Sequence, residues 1–171
     1  VGHQNFPTKL KASIFRLNRF ESSVTRPFLM EVLRLQEEGS LTVDEVTEIC
    51  RIVESYLLRR IICDLPSNTL AKVFLTLNSD IKRFDGTYNM FIEKMKYVLT
   101  SKKEKAAFPG DEAFSEGLRT KNIYAMPPRY KAYLFERLEN GDSSEYKEIY
   151  GRLDSNEYTI EHIMPQKLTP A

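Results

Sequence analysis

Near the C-terminus the run Tyr158-Thr159-Ile160-Glu161-His162-Ile163-Met164-Pro165-Gln166 sets a carboxylate directly beside an imidazole, between apolar residues. Glu161 and His162 together offer a metal ligand and a general base for activating water. The chain holds two histidines, and the other, His3, stands at the N-terminal end. Imidazole chemistry therefore falls on His162. Adjacent side chains on an extended segment point to opposite faces, so the pair forms one cluster only if the backbone bends after them. Pro165 supplies a reason for that bend, because it cannot continue a central strand.

Other residues suggest less. Arg59 and Arg60 carry guanidinium forks of the kind that hold phosphates. They also lie among Leu57, Leu58, Ile61 and Ile62, where arginines pair with local acids or run their stems along apolar surface. Lys102, Lys103 and Lys105 read as a solvated helix end that could touch phosphates non-specifically. Cys50 and Cys63 fall in one expected helix, roughly 20 Å apart at about 1.5 Å rise per residue, too far to bridge. Neither thiol has partners at zinc-ligand spacing, and no Gly-rich phosphate loop is present.

These residues need a scaffold, and the spacing of apolar side chains supplies one. The chain is 171 residues long and 42% hydrophobic, enough for a core in one domain or one domain and a fragment. From Pro7 to about Arg152 apolar residues recur every three or four positions, the helical period, and strand-like alternation is nearly absent. Leu10, Ile14, Leu17 and Phe20 predict a first helix. A second starts after Pro27 and stops at Gly39, whose freedom suits a left-handed terminus. Thr42 and Glu45 form a capping box for a long third helix with Val46, Ile49, Val53, Tyr56 and Leu57 as its stripe, ending before Leu65-Pro66. Further helices follow over Leu70 to Ile81 and Tyr88 to Leu99, then at 111–118, from Pro127-Pro128 to Asn140, and at 144–153. After the turn-prone Asp154-Ser155-Asn156 the pattern changes, and Tyr158 and Ile160 suggest a strand entering a loop.

Lys and Arg total 25 against 24 Asp and Glu, so the net charge of +1 creates no long-range field, and any basic surface has to be local. No apolar run approaches the roughly 20 residues a membrane helix needs, and the first residues do not read as a charged-then-apolar signal peptide. A cytoplasmic location is expected. The chain begins at Val1 and ends at Thr169-Pro170-Ala171, which reads as a piece of a longer protein.

Glu161-His162-Ile163-Met164-Pro165-Gln166 resembles the first strand and loop of the ββα-metal, or HNH, nuclease fold. That resemblance implies that Glu161 is a ligand of a divalent metal, Mg²⁺ or Mn²⁺, and that His162 is the general base for water. The helical part, from Tyr56 to Ile62 and from Asn68 to Leu77, is similar to the C-terminal region of GmrSD-type restriction endonucleases. In those proteins a helical domain leads into an HNH-like site and a nucleotide-hydrolysing domain precedes both. The fold class so implied is mainly α, a multi-helix orthogonal bundle over 1–155, followed over 156–171 by the start of an HNH-like element. The function implied is hydrolysis of DNA phosphodiesters in bacterial defence, with Arg59 and Arg60 as possible DNA contacts. An HNH site also uses an asparagine and a second histidine or asparagine downstream of the motif, so the 171-residue chain alone is expected to be inactive. The alternative, from a different class, is a helical interaction or linker module without chemistry of its own.

Overall fold

The structure, a computed structural model, describes residues 7–20, 22–141 and 147–160. Among these the regular elements are helices, so the protein is mainly α, with no strand among the described residues. The chain divides into two compact units, residues 1–122 and 123–171.

The first unit is built on its longest helix, α3 (Val43–Ile62). The capping box read from the sequence is present: the Thr42 N–H donates to Glu45 Oε2 at 2.7 Å, and the Glu45 N–H donates to Thr42 Oγ1 at 3.2 Å. Two otherwise orphaned donors are satisfied at once. Val46, Ile49, Val53, Tyr56 and Leu57 are all buried, as their spacing requires. α1 (Thr8–Arg19) packs along α3 through Leu10 and Leu17, and the Arg16 Nε donates to Glu54 Oε1 at 2.9 Å across the contact.

α2 (Arg26–Glu37), α4 (Leu70–Lys82) and α5 (Phe91–Thr100) complete the core of this unit. Phe28 of α2 lies 6.0 Å from Phe74 and 6.4 Å from Phe91, ring centre to ring centre, and Tyr56 of α3 meets Phe74 edge-on at 6.1 Å. One aromatic side chain from each of four helices thus forms a single cluster, a geometry that adds roughly 0.5–1.5 kcal/mol per pair beyond area burial. α6 (Asp111–Thr120) closes on the end of α3 at Gly117. A Cβ there would stand 3.0 Å from Ile62 Cγ2 and 3.2 Å from the Ile62 carbonyl oxygen, so a side chain at this position would require Ile62 to give by a few tenths of an ångström.

Two helices stop by the same device, and the sequence shows only one of them. α2 ends with Gly39 at φ 77, where the Ser40 N–H returns to the Leu35 carbonyl and the Gly39 N–H to Gln36. α3 ends four residues before Pro66 with the same pair of bonds, Leu65 N–H to Arg60 and Asp64 N–H to Ile61, around Asp64 at φ 54. Asp tolerates this left-handed position where most side chains do not. Lys121 anchors the turn by donating to the Ile61 carbonyl at 2.9 Å and pairing with Asp64.

The loop into α5 carries a titratable lock. Asp85 accepts from Lys94 Nζ at 2.6 Å and from the Thr87 N–H and hydroxyl at 2.9 Å each. The Lys94 hydrogen bond, with those from Thr87, holds the Asp85 pKa down at about 2. A carboxylate depressed in the fold favours folding above its ordinary value near 4, and that contribution disappears as pH falls towards 2. Urea midpoints measured from pH 5 to pH 2 are therefore expected to fall less steeply for Asp85→Asn than for the unaltered chain. Parallel curves would remove the lock.

The second unit holds α7 (Pro128–Asn140) and α8 (Ile149–Asp154) after a 3-10 turn, Ile123–Ala125. Met126, Tyr133, Leu134, Ile149 and Tyr150 form its described core. Asn140 ties the two helices: its Nδ2 donates to the Lys147 carbonyl and its Oδ1 accepts the Lys147 N–H, both at 2.8 Å. Glu136 is buried beneath them, accepting from the Tyr150 hydroxyl and Asn140 Nδ2 at 3.4 Å. Of the helix expected over 144–153, residues 144–146 lie outside the described residues; α8 begins at Ile149, with the Glu148 carboxylate accepting the Gly151 N–H as its cap. No helix among the described residues is long and apolar enough to cross a membrane.

Candidate functional site

Glu161 and His162 lie outside the described residues, so the structure is informative about what leads up to them. α8 ends at Asp154, and the turn-prone triplet acts as the sequence suggests: Asn156 takes the left-handed position at φ 59 and its N–H returns to the Leu153 carbonyl. Asn156 is a helix stop. Beyond it, Arg152 gathers the chain. Its carbonyl accepts the Tyr158 N–H at 2.9 Å, its Nη1 donates to Glu157 Oε1 and the Tyr158 hydroxyl at 3.0 Å each, and its guanidinium sits 5.0 Å from the Tyr158 ring centre. These four contacts fix the path of the backbone three residues before Glu161. The described part of this stretch, 157–160, carries no strand pairing.

Among the described residues, no three His, Cys, Asp or Glu side chains converge where they could hold a metal ion.

The two arginines are held by the protein itself. Arg60 is 2% exposed. Its Nη1 donates to the Ala107 carbonyl at 3.0 Å, and its Nη2 donates to Pro66 and Lys105 carbonyls at 2.7 Å and to Thr69 Oγ1 at 3.2 Å. Its guanidinium lies 5.2 Å from the Tyr56 ring centre, and Nε is the donor left without a partner among the described residues. A phosphate could reach Arg60 only if this shell opened. Arg59 donates to the Pro109 carbonyl at 3.0 Å and to Asp111 Oδ1 at 2.5 Å, with its guanidinium 5.0 Å from the Phe114 ring centre. Both side chains are thus spent on the segment from Lys105 to Asp111. The partners are not the local acids the sequence suggests: Arg60 is buried on backbone carbonyls, and the acid that Arg59 meets, Asp111, lies 52 positions away.

Sequence spacing gives no sign of that segment's other anchors. The Tyr56 hydroxyl donates to the Ala106 carbonyl at 2.7 Å, and Thr69 Oγ1 donates to the Lys105 carbonyl at 2.8 Å. Both lie on helices about 40 to 50 positions away, and the sequence marks neither. Cys50 is buried and its thiol is pushed up to about 12 by desolvation, which leaves it unreactive; Cys63 is half-buried and also free.

Residues 108–170 match the model of one protein family, the C-terminal domain of GmrSD restriction endonucleases. The matched segment takes in α6, α7, α8 and the Glu161-His162 pair. The helical similarity read over residues 56–77 lies outside the matched segment. No curated protein and no solved structure matches the chain.

Proposed function

We propose that this chain belongs to a metal-dependent DNA endonuclease of a bacterial restriction system, with Glu161 as a metal ligand and His162 as the general base. The observation that carries the reading is the match of residues 108–170 to the GmrSD C-terminal domain, because it spans the one adjacent carboxylate and imidazole in the sequence. A bound divalent cation supplies charge for the non-bridging and leaving oxygens of a phosphodiester. Within that frame His162 takes the proton of the attacking water. The wall of contacts around Arg152 supports the reading by giving the preceding backbone a set direction, which a base needs if it is to meet its water within hydrogen-bonding distance. The HNH-like ββα element, the orthogonal bundle, a cytoplasmic location and a nucleotide-hydrolysing partner domain belong to the same proposal.

The test is cleavage of supercoiled plasmid by the full-length protein, titrated with Mg²⁺ or Mn²⁺. Glu161→Ala is expected to shift the metal concentration for half-maximal cleavage upward by tenfold or more. Cleavage that persists in excess EDTA, or a Glu161→Ala titration superimposed on that of the unaltered protein, would overturn the assignment and leave the helical interaction module as the better reading.

A further inference from the structure

We infer that DNA is held by its phosphodiester backbone in a lysine-lined cleft of the first unit, between the start of α4 and the segment 102–106. The inference rests on the reading of the protein as one that acts on DNA, and it adds the surface that does the holding.

The cleft has a volume of about 500 Å³. Lys72, Lys102, Lys103 and Lys105 line it, and Glu104 is its one acidic residue. In a chain whose charges balance to +1, that is a concentrated positive patch. Lys102 is committed to Asp80 at 3.2 Å. Lys72, Lys103 and Lys105 are exposed and form no ion pair with a described residue, so their charge is available to an incoming anion. Thr76 and Asn68 add neutral hydrogen-bonding groups to the lining.

The wall bearing these lysines is fixed in advance. The Lys105 carbonyl accepts from Arg60 and Thr69, the Ala106 carbonyl from Tyr56, and the Ala107 carbonyl from Arg60. The backbone between Lys103 and Ala107 is thereby ordered before any ligand arrives, which spares the entropy that a flexible lysine loop would lose on binding. Arg60 thus acts on DNA through the lysines it positions.

The cleft favours a backbone over a free nucleotide. No aromatic ring lines it, so a base has nothing to stack on, and lysines are point charges suited to successive phosphates. Contacts of this kind orient the duplex without reading its sequence.

The measurement is fluorescence anisotropy of a labelled 20-base-pair duplex with the 171-residue chain, in EDTA, from 50 to 200 mM KCl. The unaltered chain is expected to bind with a steep salt dependence. Lys72→Ala/Lys103→Ala/Lys105→Ala is expected to weaken binding at least tenfold at 50 mM salt and to flatten the slope of log K against log salt by about 2 to 3. A triple alanine replacement of Arg26, Arg51 and Arg119, three exposed arginines elsewhere on the same unit, is expected to change affinity less than threefold, and the corresponding lysine-to-arginine triple to retain binding. Absence of salt-sensitive binding by the unaltered chain, equal losses in the lysine and arginine triples, or displacement of the duplex by equimolar ATP would each overturn the inference. Because EDTA excludes metal-dependent cleavage, a failure here is separate from a failure of Glu161 or His162 to support hydrolysis.

Discussion

Replacing Arg60 with alanine is expected to destabilise the first unit by about 2–4 kcal/mol, the cost of leaving buried carbonyl acceptors without their donor. The reason is the number of acceptors that depend on it. Carbonyls of Pro66, Lys105 and Ala107 all take hydrogen bonds from one guanidinium that is 2% exposed. Removing the donors strands the Pro66 and Ala107 oxygens, while the Lys105 carbonyl keeps its bond from Thr69 Oγ1, and a buried acceptor without a partner costs roughly 1–3 kcal/mol. Lysine does not rescue the site, because one ammonium cannot reproduce a planar fork that reaches the α3–α4 turn and the 105–107 segment together. Arg59→Ala, by contrast, removes one carbonyl contact and a pair to an exposed Asp111, and it is expected to cost less than half as much. Urea denaturation at 25 °C separates the two. Equal losses for Arg59→Ala and Arg60→Ala would show that burial of Arg60 carries no special weight.

The second large effect concerns chemistry. His162→Ala in the full-length protein is expected to lower plasmid cleavage by roughly 10²–10⁴, the usual contribution of a positioned general base. DNA binding in EDTA should be unchanged, since the lysine cleft lies in the first unit and His162 in the second. The two readouts isolate proton transfer from substrate capture. A variant that still cleaves at the full rate would place the base elsewhere.

Much of the fold is written in short-range pattern. The α3 stripe from Val46 to Leu57, the Thr42–Glu45 box and the Gly39 stop each follow from residues within one or two helical turns of each other. What escapes such reading is fixed at long range. The stop at Asp64 depends on an aspartate accepting a left-handed backbone, with Lys121 from 57 positions away pairing with it. The fate of Arg59 and Arg60 depends on carbonyls about 45 to 50 positions downstream, so the sequence, which favours packing over phosphate contact, does not name their partners. The lysines at 102, 103 and 105 look like a helix end, and only the approach of α4 turns them into one wall of a cleft. Of the candidate site, the sequence identifies the Glu161-His162 pair by residue type alone. The contacts of Arg152 with Glu157 and Tyr158 then show how the chain is led towards it.

The central claim is that Glu161 and His162 serve one hydrolytic step, and a double-mutant comparison tests it most directly. Cleavage rates would be measured for the full-length protein, Glu161→Ala, His162→Ala and the double variant at one saturating Mg²⁺ or Mn²⁺ concentration. If the pair acts as a unit, each single change abolishes most of the activity and the double variant is little slower than the worse single one. Rates that stay near that of the unaltered protein, or losses that simply multiply, would contradict it.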